Sequence, residues 1–498
     1  MITINELDSV NIKIDCEKSI AKEISSFFTF TVPNFKFTPA YRNKIWDGKI
    51  RLFNTLSHTL YAGLLDYVFK FAQERNYKIE YNPKPKQSIT LESLNEFLNS
   101  FKCYSNGEEI KPHEHQLEAV KHAINKSRSL LISPTGSGKS LIIYLLIRFL
   151  ETQIPEDKQI LVVVPTTGLV TQMFNDFKDY ANKDGFIKKC HIVYSGQEKQ
   201  TSKKVIISTW QSIYKQKEDF FKNVYCVFGD ECHLFKAKSL TTLMSKMKNS
   251  PYRIGTTGTL DGTHVHKLVI EGLFGPVYNV TSTKSLIDKN LLSNLKIKCL
   301  LLQYSDAEIE EIKRAKYIDE IQWLVQNKKR NKFIVNLCCH LKGNTLVLFN
   351  YVEKHGLPLY EDIKNNCTKP CFLIYGGTEA SEREDIRQIV NKQTDSVLVA
   401  SYGTCSTGIN IKNIHNIVFT SPSKSVVRVL QSIGRGLRKS EAKDKVVVYD
   451  IGDDLHHKAH RNHALRHMDD RISIYNSEKF LYSLTSIRLE ELNELQDS

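Results

Sequence analysis

One octapeptide limits what this chain can fold into. Ser133-Pro134-Thr135-Gly136-Ser137-Gly138-Lys139-Ser140 follows the apolar run 130–132 and precedes the helix-length apolar stretch 141–150. A glycine-rich turn from a buried strand into a helix belongs to α/β architecture with parallel strands covered on both faces. The rest of the chain repeats that rhythm. Short β-branched runs at 160–164, 205–208, 225–228 and 252–256 alternate with helical patterns, and a second series follows at 345–349, 372–375, 396–400, 416–420 and 445–449. Two series in succession predict two tandem parallel-sheet domains joined near residues 280–300.

The flanks read differently. Residues 1–95 carry no phosphate loop, hold a helix-like run at 64–73 and end in the turn-rich Asn82-Pro83-Lys84-Pro85-Lys86, which predicts a small α+β domain. The two α/β domains are expected at 96–285 and 286–455, and the His- and Arg-rich residues 456–498 are expected to form a helical tail. Within it His467, Arg471 and Tyr475 recur at four-residue spacing and share one helical face. His456, His457, His460 and His463 could suggest a metal site, but a polar helix docked on the second domain is the simpler reading.

The glycines of the octapeptide let the backbone curl so that its N–H groups and the helix N-terminus face phosphate oxygens. Residues 133–140 are therefore the expected nucleotide loop, with Lys139 reaching the β- and γ-phosphates and the Ser140 hydroxyl on Mg²⁺. Ser133 stands where the usual pattern has its first glycine. After the run 225–228 comes Asp230-Glu231-Cys232-His233. Carboxylates at a strand end suit Asp230 to Mg²⁺ and Glu231 to orienting and deprotonating a water.

Together these motifs resemble a superfamily-two DExH helicase, whose fold is a pair of RecA-like domains using ATP and Mg²⁺. The resemblance implies further roles, residue by residue. Pro112 and Gln116 look like the adenine-reading segment, although His115 replaces the common aromatic. Val164-Pro165-Thr166 and Thr209-Trp210-Gln211 look like loops touching a nucleic-acid backbone. Thr257-Gly258-Thr259 takes the place of the element coupling hydrolysis to movement. Ser406-Thr407-Gly408-Ile409-Asn410 has Asn410 where the family often has Asp, with Gly408 at the nucleotide. Gln431-Ser432-Ile433-Gly434-Arg435-Gly436-Leu437-Arg438 resembles the closing motif, making Arg435 and Arg438 arginine fingers beside Gln431. The two arginines, three apart, are expected on one helix.

A second element narrows the family. Tyr41 to Phe53 reads YRNKIWDGKIRLF, and this segment ahead of a D-E-C-H motor is similar to the UvsW helicases of tailed phages. That likeness implies a DNA helicase or translocase acting on four-way junctions, forks and R-loops (an RNA–DNA hybrid) in recombination, repair and replication. Recombination and replication proteins would be its partners and the host cytoplasm its location.

Charge agrees with an anionic partner. The 498 residues carry a formal net charge of +14. No acid falls between Ser396 and Ser440, where Lys412, Lys424, Arg428, Arg435, Arg438 and Lys439 lie. Near the N-terminus Lys36, Arg42, Lys44, Lys49 and Arg51 face Asp47 alone, interleaved with Phe35, Phe37, Tyr41, Trp46 and Phe53. Cations track a phosphate backbone and aromatics stack on bases, so Arg42, Lys44, Trp46, Lys49 and Arg51 join Pro165, Thr166 and Thr209 as expected nucleic-acid contacts. An ordinary core with a solvated basic edge is the competing reading. No leader or membrane span is visible in the sequence, and eleven scattered cysteines read as free thiols rather than a disulfide framework. Two functional alternatives stand beside the DNA motor: an RNA helicase of the same class, and a binding protein with a relic ATPase.

Overall fold

The computed structural model describes residues 1–490 except Asn34, 84–87, 236–237, 261–263, 409–410, 412, 422–424 and 439–442. Expectations placed on Lys84, Pro85, Lys86, Ile409, Asn410, Lys412, Lys424 and Lys439 lie outside those residues, as do the side chains of Ser406, Thr407 and Arg428. The chain divides into two compact units, Met1–Ser133 with Gly138–Thr281, and Ser282–Ser498 with Pro134–Ser137.

The first unit is built on a seven-stranded sheet. Its spatial order is Cys190–Val193, Val205–Thr209, Gln159–Val164, Val224–Gly229, Tyr252–Thr257, Arg128–Ile132 and Val277–Asn279, and every pairing is parallel. Strand periodicity accounts for the two cores. Ile160, Val162 and Val164 point into one hydrophobic layer, while Leu161 and Val163 point into the other. Buried on both faces, these strands read in the sequence as unbroken apolar runs.

On the same unit sits the N-terminal domain, a four-stranded sheet ordered Thr59–Tyr61, Asn11–Cys16, Ile2–Glu6, Ile79–Tyr81 with helices Lys18–Phe27 and Leu65–Glu74. It docks on helix His264–Phe274. Leu268 enters its core, and the Tyr67 hydroxyl donates to Glu271 Oε2 at 2.7 Å. A Cβ on Gly63 would stand 2.0 Å from the Glu271 carbonyl oxygen, so only glycine allows that approach.

The second unit repeats the plan with Cys371–Ile374, Val397–Ser401, Thr345–Phe349, Asn416–Phe419, Lys445–Asp454, Asn294–Gln303 and Tyr482–Arg488, again with parallel pairings throughout. Leu346 and Leu348 face one core and Val347 and Phe349 the other. Two tandem RecA-like sheets and a small N-terminal α+β domain are thus the observed architecture.

Three expectations need correction. The tail is not all helix: after His463–Ser477 the chain forms Tyr482–Arg488, which pairs with strand Asn294–Gln303 from Ile297↔Tyr482 to Gln303↔Arg488 and becomes the sheet edge. Its side chains are mostly exposed, so it lacks the apolar run that betrays a buried strand. The cysteines are not all free, because Cys339 and Cys367 are disulfide-bonded with Cα atoms 5.1 Å apart. They lie 28 residues apart at the ends of two neighbouring helices, Lys328–His340 and Leu357–Asn366, a proximity that spacing in sequence cannot show. Finally, the helix Val426–Gly436 stops before Arg438. The last turn is completed by the Leu437 N–H to the Ile433 carbonyl, leaving Arg435 on the helix and Arg438 just beyond it.

Among the described residues no helix is long and apolar enough to cross a membrane.

Candidate nucleotide site and nucleic-acid interface

The phosphate loop forms where the octapeptide predicts it, between Arg128–Ile132 and the helix Lys139–Glu151. Gly136 and Gly138 take φ of +86° and +83°, the left-handed region that glycine enters without strain. Ser133 is fully buried and has no such φ, so a side chain is tolerated where the usual pattern has glycine. Its N–H donates to the Thr257 carbonyl at 2.9 Å, which ties the loop to the neighbouring strand. The Ser137 hydroxyl donates to the Pro134 carbonyl at 2.6 Å and closes the turn. Lys139 and Ser140 open the helix, and the Ser140 hydroxyl lies 2.8 Å from that of Tyr180.

Gln116 belongs to this loop as well. It is 4% exposed on the helix Glu114–Lys126, and its Oε1 accepts the His113 N–H at 2.8 Å. A Cβ on Gly138 would meet its Nε2 at 2.2 Å, so the amide lies flat against the loop with its donor end there. His115 stacks on His113 with ring centroids 5.7 Å apart, in place of the family's usual aromatic. Pro112 precedes this helix in an extended segment.

The carboxylates stand at the carboxyl edge of the same sheet. Asp230 follows strand Val224–Gly229 and is held by its own N–H to the Val163 carbonyl at 2.9 Å. Thr256 of the adjacent strand donates its hydroxyl to Asp230 Oδ1 at 2.8 Å. Burial is the main force raising the Asp230 pKa, and the Glu231 charge adds to it; Lys139 and the Thr256 hydroxyl pull the other way. Glu231 adopts φ +52°, a strained conformation for a non-glycine residue. Its Oε2 is buried without a hydrogen bond, and His233 Nδ1 is 3.4 Å away.

The Thr257 hydroxyl donates to the Thr259 carbonyl at 2.9 Å, and the same oxygen lies 3.1 Å from His233 Nδ1. A chain of contacts thereby runs from the D-E-C-H segment to Thr257-Gly258-Thr259. The donor types suit a hard divalent cation: a buried carboxylate, a second carboxylate with an unmatched oxygen, and the Ser140 hydroxyl that opens the loop's helix. Asp230 and Ser140 are the residues that would hold Mg²⁺.

Thr256, His233 and Tyr180 were not singled out in the sequence. Thr256 comes from the neighbouring strand and Tyr180 from a different helix, and no local motif marks either. His233 was inside the recognised tetrapeptide, but its partner was not legible.

The expected nucleic-acid loops leave the same sheet edge, since Val164 and Thr209 are paired in register. Their hydroxyls are already occupied. Thr166 caps the helix Thr167–Ala181 by accepting the Leu169 N–H, and Thr209, 5% exposed, shares a 2.8 Å hydrogen bond with Ser212. Gln211 joins the loops by donating to the Pro165 carbonyl at 3.1 Å.

In the N-terminal domain the basic, aromatic segment divides in two. Phe53 is core, 2% exposed, and not a stacking surface. Arg51 forms an ion pair with Asp47 at 2.5 Å, which lowers the Asp47 pKa to about 2. Trp46 is half-buried with its indole N–H donated to the Lys49 carbonyl at 2.8 Å. Arg42, Lys44 and Lys49 remain exposed.

In the second unit Gln431 and Arg435 lie one turn apart on Val426–Gly436, each half-buried, and Gly408 ends the helix Tyr402–Gly408. The tail helix is anchored rather than free: Arg471, 1% exposed, donates to Asp450 at 2.9 Å, and the Tyr475 hydroxyl donates to the same carboxylate at 2.7 Å.

Comparison with known proteins follows the same divisions. Residues 2–82 match the family profile "DNA helicase UvsW, N-terminal", residues 109–262 match "Type III restriction enzyme, res subunit", and residues 328–440 match "Helicase conserved C-terminal domain". The chain is 33% identical to the ATP-dependent DNA helicase uvsW of Enterobacteria phage T4, over 97% of this chain and 98% of the relative. The crystal structure of T4 UvsW superposes with a TM-score of 0.52 at 30% identity, covering 98% of this chain and 99% of that one. A fragment of an HsdR subunit of a type I restriction enzyme from Vibrio vulnificus shares the fold, with a TM-score of 0.57 at 16% identity over 76% of this chain and 69% of its own. With two RecA-like sheets, the ATPase motifs and near full-length identity in hand, the chain belongs to the UvsW family of superfamily-two DExH helicases.

Proposed function

We propose that this protein is an ATP-driven DNA translocase that unwinds or branch-migrates junctions, forks and R-loops. The observation that carries the reading is the assembled carboxylate site. Asp230 and Glu231 follow a strand of the sheet whose glycine loop ends in Lys139 and Ser140, in a chain related over nearly its whole length to a DNA helicase.

The chain's own groups divide the work. Loop N–H groups and Lys139 bind the β- and γ-phosphates, and Gln116 presents its amide donor to the base. Ser140 and Asp230 would hold Mg²⁺, which when bound would neutralise charge on the phosphoryl oxygens. Glu231, with an unmatched carboxylate oxygen, orients the attacking water and accepts its proton. Arg435 and Arg438, assisted by Gln431, stabilise charge on the transferring group from the second unit. Hydrolysis would then require the two units to close, and product release would let them part. The contacts from Asp230 to Thr256 and from His233 to Thr257 carry nucleotide state toward the loops that hold DNA.

Backbone-holding loops carry little information about sugar or base, so substrate choice is decided in solution. ATPase stimulation by duplex DNA, a four-way junction and RNA at one fixed salt concentration tests the reading. Strongest stimulation by the junction is expected. Stimulation by RNA alone would overturn the DNA assignment, and none by any polynucleotide would favour a relic ATPase.

A further inference from the structure

Residues 35–51 of the N-terminal domain form a small lobe carrying two exposed side chains that its own packing leaves out. Phe37 is 71% and Ile45 78% exposed, against 2% for nearby Phe53. The lobe is stiff. Thr38 caps the helix Pro39–Arg42, and the N–H groups of Ile45 and Trp46 both donate to the Ala40 carbonyl, at 2.9 and 3.2 Å. The Phe35 and Tyr41 rings meet edge to face with centroids 4.6 Å apart. Gly48, at φ +79°, turns so tightly beneath Phe35 that a Cβ would lie 2.1 Å from the ring. Strand Lys49–Arg51 then returns antiparallel along Thr29–Thr31. A slack loop could fold Phe37 and Ile45 inward, whereas this one holds them out.

The surroundings are cationic. Lys36, Arg42, Lys44 and Lys49 are exposed, and none ion-pairs among the described residues. The lobe's only acid, Asp47, is spent on Arg51. An acidic protein face would satisfy these cations but would leave the apolar pair against charge. A nucleic acid satisfies both, because it offers phosphates outside and apolar base faces within the stack.

We propose that Phe37 and Ile45 form an apolar wedge that enters the base stack at a DNA branch point, while Lys36, Arg42, Lys44 and Lys49 hold the flanking phosphates. The inference rests on the DNA reading above and adds the residues that open the duplex. The test uses the full chain and a junction carrying 2-aminopurine at its branch point, without nucleotide. Wild type should raise the fluorescence as the base unstacks. The variant F37S/I45S, checked for an unchanged unfolding midpoint, should bind the junction within about threefold of wild type, fail to raise the fluorescence and lose about tenfold in strand separation. R42A/K44A should instead weaken binding and leave the fluorescence of each bound complex unchanged. Equal fluorescence and equal separation by wild type and F37S/I45S would overturn the wedge. So would lost binding with unaltered fluorescence per complex, which would mark the pair as docking contacts only. Both outcomes leave the DNA reading standing, whereas a wild type that neither binds nor separates the junction removes both.

Discussion

At the scale of single residues, the site trades stability for chemistry. Asp230 is buried beside Glu231, and both effects hold its proton to higher pH than in an unfolded chain. A carboxyl with a raised folded pKa stabilises the folded state most below the ordinary aspartate range, and that contribution is lost as pH rises through the raised value. Without Mg²⁺, Asp230→Asn should therefore unfold at a higher temperature than wild type at neutral pH, by about 2–4 °C for each kcal/mol recovered. The difference should vanish in acid. Thermal scans at two pH values check this, and a lower midpoint for the variant at neutral pH would contradict it. The Thr256 hydroxyl orients the same carboxylate. Thr256→Val should raise the Mg²⁺ needed for half-maximal ATPase by about 10–100-fold, as loss of an outer partner does at metal sites, with little change in folding. Asp230 and Glu231 were legible in the sequence because they are adjacent. Thr256 was not, since parallel pairing brings it in from a strand 26 residues away.

At the scale of elements, legibility tracked burial. The inner strands of both sheets are apolar on two faces and stood out as continuous runs, with boundaries off by a residue or so at most ends. Three of the four edge strands lacked that signal: Cys190–Val193, Val277–Asn279 and Tyr482–Arg488 have mixed or mostly exposed side chains, whereas the fourth, Cys371–Ile374, was legible as an apolar run at 372–375. Asn294–Gln303 was missed too, although it lies inside its sheet. Lysines interrupt its apolar residues, so its first half lacks a continuous run. The tail helix was legible from the spacing of His467, Arg471 and Tyr475, but its anchor was not, because Asp450 lies on a strand. Arg471 and Asp450 are both buried, so removing one partner leaves an unpaired charge inside the protein. Arg471→Met should cost about 3–5 kcal/mol of folding stability, read by denaturant unfolding. A change within error would show that the tail is not anchored through this pair.

At the scale of the whole molecule, the proposed mechanism requires arginines of the second unit to act on a nucleotide held by Lys139. If Arg435 acts as a finger, Arg435→Ala should leave ATP binding intact and lower the hydrolysis rate by about 10³–10⁵-fold. Near-normal turnover would remove Arg435 from the mechanism. The +14 net charge also sharpens at this scale. Asp47 neutralises Arg51, and the positive charge of residues 35–51 reduces to the exposed Lys36, Arg42, Lys44 and Lys49 in the same lobe as Phe37 and Ile45.

The most direct test of the central claim, that this chain couples ATP hydrolysis to DNA strand separation, is Glu231→Gln on a labelled four-way junction. The account predicts that wild type separates the junction with ATP but not with a non-hydrolysable analogue. The variant should bind both ATP and the junction and yet neither hydrolyse nor separate. Strand separation that survives Glu231→Gln would contradict the claim.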